Sequence, residues 1–205
     1  MEAIKFVYFD LGNVLLNFSH QRMIDQVSVV AGVSTDVVQR HMFDNDLENR
    51  YETGEVNSAQ FHAEFCGLIE KKCDFEDFLI ACGDIFWLNE PTIPVLSQLA
   101  QLNLGMGILS NTCEAHWDFA LRRFPALRQL FPIRVTSFEA RSMKPDSNIY
   151  KVAIEQAGVS PDEIFFTDDK LENVQAAQAA GMDAALFTTA NQLLHDLAKR
   201  EIAIG

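Results

Sequence analysis

The sequence predicts an α/β protein, a parallel and doubly wound sheet whose first strand is separated from the others by an inserted block of helices. Three observations predict this. From residue 91 onward, short runs rich in Val, Ile, Leu and Phe alternate with helix-spaced segments, the pattern of strands joined by crossover helices. One more such run stands alone at residues 4–9. Between the two, from about 19 to 89, apolar residues recur only at helical spacing. A chain of 205 residues can bury a real core as one large domain or a domain with an insertion. The boundaries that follow are 1–17 and 90–205 for the sheet-bearing part and 18–89 for the insertion.

The first strand, 4–9, is dense in Val, Tyr and Phe and ends on Asp10, with Gly12 and Asn13 suited to a tight turn. Met23, Val27, Val30 and Ala31 mark the first inserted helix, and Val37, Val38, His41 and Met42 the second. Phe61, Phe65, Leu68 and Ile69 mark the third, and Phe75, Phe78, Leu79 and Cys82 the fourth. Ser34 and either Ser58 or Asn57 suit their N-caps. The Phe-rich stripes read as the core of a four-helix block, and 49–54 reads as a loop within it. A helix over about 92–103 then leads into a strand at 106–109 that stops at Ser110-Asn111-Thr112. A helix over 114–123 and a weaker strand at 133–136 follow. Lys144-Pro145-Asp146 opens a helix over 147–157, closed by Gly158. Ser160 to Glu163 has capping-box spacing, and a strand at 164–167 ends on Asp168-Asp169. A helix to Ala180, a strand at 184–187 and a helix over about 191–200 complete the chain.

A net charge of −13 argues against nonspecific nucleic-acid binding, which needs a basic footprint. It leaves room for a small anionic substrate, because a local cation can override the global field. Cys66, Cys73, Cys82 and Cys113 show neither Cys-x2-Cys spacing nor a His partner in a zinc pattern, and read as free thiols of a reducing compartment. No run is long enough to span a bilayer, and the first apolar run is too short for a signal peptide, so the expected location is cytoplasmic.

In an open parallel sheet, ligands bind beyond the carboxyl ends of the strands. Those ends carry Asp10, Ser110 and the Asp168-Asp169 pair, with Lys144 at the start of a helix on the same side. Alone, each is an ordinary turn or helix-start residue. Together they crowd three carboxylates into one crevice, which like-charge repulsion opposes unless a cation joins them. Oxygen ligands with no His or Cys nearby point to Mg2+. A hydroxyl (Ser110), an amide (Asn111) and an ammonium (Lys144) beside it suit a tetrahedral phosphoryl group. No Gly-x4-Gly-Lys-Ser/Thr loop is present, so a P-loop nucleotide site is not supported.

Four stretches in order, Phe9-Asp10-Leu11-Gly12-Asn13-Val14, Leu109-Ser110-Asn111-Thr112, Lys144-Pro145 with Tyr150, and Phe166-Thr167-Asp168-Asp169 with Asn173, carry a resemblance to the haloacid dehalogenase superfamily, phosphatase branch. The resemblance runs essentially end to end. It implies a Rossmann-like core with a helical cap inserted after the first strand. It makes Asp10 the nucleophile that forms an aspartyl-phosphate, with Ser110 and the Asn111 backbone on the phosphoryl group. Lys144 would tie the nucleophile to that group. Asp169 would be the direct Mg2+ ligand, Asp168 a second ligand or support, and Gly12 a ligand through its carbonyl. The sequence departs from the family at Gly12, where phosphatases usually carry the general acid. Some small bacterial members share this form and are grouped with sugar-phosphate phosphatases. An acid from the cap, for which Glu52 is the candidate, or a metal-bound water would substitute, and Arg22, Arg50, Tyr51 and Trp87 are further cap side chains able to meet a substrate. Two rivals share the missing acid. One is a metal-independent 2-haloacid dehalogenase, and the other a catalytically impaired binding or regulatory protein of the same fold.

Overall fold

One sheet of five parallel strands organises the protein in the computed structural model, which describes residues 3–202. The chain begins with β1 (Phe6–Phe9) and β2 (Leu16–Phe18). The helical block follows as α1 (His20–Ala31), α2 (Thr35–Gln39, continued by a π-helical turn at Arg40–Asp44), α3 (Leu47–Glu52), α4 (Ser58–Leu68) and α5 (Phe75–Gly83). Then come β3 (Phe86–Leu88), α6 (Ile93–Leu99), β4 (Gly105–Ser110), α7 (Glu114–Arg123), α8 (Ala126–Leu130), β5 (Ile133–Thr136) and α9 (Ser137–Ala140). The last elements are α10 (Ser147–Ala157), β6 (Ile164–Asp168), α11 (Leu171–Ala179), β7 (Asp183–Leu186) and α12 (Ala190–Lys199).

The strand order is β5-β4-β1-β6-β7, with every pairing parallel. The first strand is therefore the central one, and the chain's direction across the sheet reverses around it. Its residues serve both faces. Val7 and Phe9 join an apolar cluster with residues of α6, α7 and α12, while Phe6 and Tyr8 join one with residues of α10 and α11. Tyr8 buries its ring and donates its hydroxyl proton to the Ala153 carbonyl at 2.9 Å, so its polar end is satisfied.

The inserted block leaves and rejoins the sheet through a two-stranded antiparallel ribbon, with Leu16 opposite Leu88 and Phe18 opposite Phe86. The ribbon was not legible beforehand, because three-residue strands are too short to show alternation. Five α-helices occupy the block, one more than the four that the periodicity picks out. The extra helix is α3, which covers most of the stretch read as a loop. It forms because Leu47 and Tyr51, one turn apart, are both buried. Asn57 caps α4 in a full capping box with Gln60, whereas Ser34 sits at the start of α2 without a side-chain cap bond. Phe61, Phe65 and Phe78 are fully buried, as expected of a bundle core, and Tyr51 stacks on Phe61 at 4.3 Å. That core is continuous with one face of the sheet.

A seam at α3 ties the block to the sheet-bearing part. Ser137 donates to the Glu52 carbonyl at 2.7 Å, and the Ala115 N–H donates to the Tyr51 hydroxyl at 2.9 Å. Ser58 donates its N–H (2.8 Å) and its hydroxyl (2.6 Å) to the Glu114 carboxylate. Gly54 crosses this seam at φ +71°, where a Cβ would run into the Phe138 carbonyl oxygen, so only glycine suits the position.

Candidate active site

Three adjacent strands deliver the site. Asp10 follows β1 directly, Ser110 ends β4, and Asp168 ends β6 with Asp169 next in line. Lys144 reaches them from the turn before α10. The sequence reading placed it at the start of that helix, but the helix begins three residues later. Asp146 accepts from the Asn148 N–H at 2.7 Å and fixes the start at Ser147.

Lys144 is buried and donates all three ammonium protons within the protein. They go to Asp10 Oδ1 at 2.7 Å, Asp168 Oδ2 at 2.6 Å and the Leu109 carbonyl at 2.8 Å. Burial alone would lower its pKa, but Asp10 and Asp168 outweigh burial and hold it above the ordinary lysine value. Asn111 fixes this turn. Its side-chain amide donates to the Lys144 carbonyl at 2.9 Å and accepts the Lys144 N–H at 2.8 Å, so what it can offer a ligand is main chain.

The two neighbouring aspartates differ in what they have left to give. Asp168 is fully buried and both of its oxygens are committed. They accept from Lys144, from the Asn173 amide at 2.9 and 3.1 Å, and from the Lys170 N–H at 2.8 Å. Asp169 is half-buried, lines the cleft and accepts from Asn13 at 2.9 Å. Asp10 has its carboxyl pushed up to about 7, first by burial and then by Asp168, against the pull of Lys144. Oxygens of Asp10, Asp168 and Asp169 all lie within 4.8 Å of one another. Three carboxylates facing one ammonium leave room for a cation, and a donor set made only of oxygen fits Mg2+ rather than a soft metal.

These groups line a cleft of about 140 Å3, together with Gly12, Ser110, Asn111, Glu52 and several side chains of the inserted block. Gly12 explains its own identity. A Cβ there would lie 2.8 Å from Phe18 Cε1, so the Phe18 ring occupies the space an acid at this position would need. Glu52 ends α3 and points its chemistry to the same cleft. Its carboxyl is pushed up to about 8, chiefly by burial and then by Glu48.

Sequence reasoning missed Phe18, His20, Phe86 and His116, all of which line the cleft. No motif contains them, and only the ribbon and the α7 packing bring them together. His116 is buried with Nε2 unpartnered, edge-on to Phe86, and burial pushes its pKa down to about 3, so it is neutral. Of the cap side chains singled out beforehand, Arg22 pairs with Asp84 at 2.6 Å and Arg50 with Glu64 at 2.7 Å. Tyr51 is buried in the seam and Trp87 is exposed, and none of the four lines the cleft.

Residues 4–181 match the haloacid dehalogenase-like hydrolase family. The chain is 25% identical over 197 residues to Phosphatase MT3486 of Mycobacterium tuberculosis, covering 93% of this chain and 90% of that protein. Among solved structures, the haloacid dehalogenase family enzyme BT-2542 of Bacteroides thetaiotaomicron superposes with a TM-score of 0.82 at 24% identity, over 96% of this chain and 99% of that one. The L-2-haloacid dehalogenase of Xanthobacter autotrophicus superposes less closely, with a TM-score of 0.63 at 21% identity, over 98% of this chain and 84% of that one. Among the described residues, no helix is long and apolar enough to cross a membrane.

Proposed function

The chain belongs to the haloacid dehalogenase-like hydrolases, and from that premise we propose that it is a Mg2+-dependent phosphatase acting through an aspartyl-phosphate on Asp10. The observation that carries this reading is Asp10 itself. It is a carboxylate at the end of the central strand, oriented by a buried lysine and flanked by Asp169, which still has oxygen to give a metal. BT-2542 has been crystallised with magnesium and inorganic phosphate, which supports the same chemistry in this fold. The substrate would be a small phosphorylated metabolite, with sugar phosphates the first class to test, and the block at 18–89 would act as a cap over the core at 1–17 and 90–205.

In this mechanism an Asp10 oxygen attacks phosphorus, the bond to the leaving oxygen breaks, and that oxygen takes a proton. Water then cleaves the acyl phosphate and restores the carboxylate. Lys144 orients Asp10, and Ser110 with the Asn111 main chain binds the phosphoryl oxygens. Asp10, Asp169 and the Gly12 carbonyl would hold Mg2+, which when bound neutralises phosphoryl charge. Asp168 would position Lys144 rather than ligate, because its oxygens are committed. Glu52, protonated near neutral pH, would supply the proton that position 12 cannot.

The test is phosphate release from p-nitrophenyl phosphate and a sugar-phosphate panel, with Mg2+ and with EDTA, for the wild type and Asp10→Asn. Release that needs Mg2+ and vanishes in Asp10→Asn is expected. Halide release from 2-haloacids in EDTA would establish the dehalogenase instead. Binding of phosphate esters without turnover would establish the impaired binding protein.

A further inference from the structure

Away from the cleft, the described residues bring together one other set of metal-ligating side chains, inside the inserted block. His62 and Cys66 lie one turn apart on α4, and Cys73 lies in the loop leading to α5. No zinc pattern in the sequence pairs a His with these cysteines, because Cys73 stands outside any helical or Cys-x2-Cys register. The fold supplies it. His62 Nε2 is 3.5 Å from Cys66 Sγ, the two sulfurs are 3.6 Å apart, and Cys73 Sγ is 3.6 Å from His62 Nε2.

We propose that His62, Cys66 and Cys73 form a Zn2+ site with solvent in the fourth position. The three atoms make a nearly equilateral triangle, and an ion about 1 Å out of its plane lies about 2.3 Å from each, the Zn–S length of tetrahedral sites. One nitrogen and two sulfurs favour a thiophilic ion, in contrast to the oxygen donors around Asp10. Phe75 and Phe78 stand edge-on to the imidazole at 5.3 and 5.0 Å and hold its orientation. Both sulfurs are half-buried, so an ion can reach them and solvent can complete the tetrahedron. Nε2 also lies 3.1 Å from the Cys73 carbonyl, on the same loop as the second sulfur. Ligation by thiolate releases the thiol protons, so binding tightens as pH rises. The ion would pin the loop between α4 and α5, apart from the chemistry at Asp10.

Co2+ titration of the reduced, metal-free protein tests this. The expected result is one equivalent giving a thiolate-to-metal charge-transfer band and the intense visible bands of a tetrahedral ion, displaced by one equivalent of Zn2+. The bands should disappear in Cys66→Ser and in Cys73→Ser and persist in Asp10→Asn, whose carboxylate cluster offers no sulfur. Zn2+ should also raise the Tm of the wild type and not that of Cys73→Ser. Absence of the charge-transfer band in the wild type, or its survival when both cysteines are replaced, would overturn the proposal. So would a Cys66–Cys73 disulfide that forms as fast with Zn2+ as without it.

Discussion

Lys144→Met removes the ammonium shared by two buried carboxylates and leaves a side chain of similar length. The lysine side chain is 2% exposed, and its partners, Asp10 and Asp168, are 11% and 0% exposed at 2.7 and 2.6 Å. Removing one member of a buried pair costs about 3–5 kcal/mol, because the charge left behind is neither hydrated nor paired. Two carboxylates lose their partner here, which favours the upper end. In a chain of this size each kcal/mol moves Tm by roughly 2–4 °C, so a fall of about 6–20 °C is expected. Thermal unfolding followed by circular dichroism, in chelator so that no metal substitutes for the lysine, measures it. The deficit should depend on pH. Asp10 already titrates at about 7 with the lysine present, above its ordinary value, and goes higher without it. A carboxyl raised in this way contributes stability that is full below its unfolded pKa and lost as pH rises through its folded one. The deficit should therefore be smaller near about pH 5 than near about pH 8, and Asp168→Asn in the same chain should restore part of it. An unchanged midpoint at the higher pH would refute the argument. A deficit that neither pH nor Asp168→Asn alters would show that packing, rather than charge, is what the lysine supplies.

Glu52→Gln should lower kcat for poor leaving groups by about 100- to 10,000-fold, and wild-type kcat/KM should fall as pH rises through about 8, where the donor of the free enzyme loses its proton. An unchanged kcat in Glu52→Gln ends its candidacy as the acid. Gly12→Asp should lower both Tm and activity, because Phe18 fills the space, and adding Phe18→Ala should recover Tm; a single variant as stable as the wild type would show that the ring moves freely. Gly54→Ala meets both a positive φ and the Phe138 carbonyl, and should cost more than about 1–3 kcal/mol by denaturant titration.

What the sequence showed of this architecture followed from length and repetition. The central and flanking strands of the sheet were legible because their apolar runs stop on polar residues, and β5, α7 and α10 fall where the pattern put them. The short elements were not. The three-residue strands of the ribbon, and helices α3, α8 and α9 of four to six residues, are stabilised by what they pack against and carry no period of their own. At the cleft, the groups at strand ends could be collected by topology alone, so Asp10, Ser110, Asp168 and Asp169 were found. Which aspartate is saturated could not, since that depends on Asn173 and the Lys170 N–H reaching the same carboxylate. Phe18 and His116 reach the cleft only after two separate elements fold onto the sheet.

The seam at α3 has a consequence for how a substrate arrives. Swinging the inserted block away about its ribbon would break four hydrogen bonds, at Glu52, Tyr51 and twice at Ser58. At about 0.5–1.5 kcal/mol net each, these bonds alone disfavour the open form by roughly 2–6 kcal/mol, and the apolar packing of α5 against α7 adds to that. On the contribution of the bonds alone, between about one molecule in thirty and one in twenty-five thousand would stand open at any moment. A ligand that needs the open form has its apparent affinity reduced by that fraction, whereas one small enough for the standing cleft does not. With the block acting as a cap, selection by size would follow from the closed state, and the four bonds would set the least penalty on bulk.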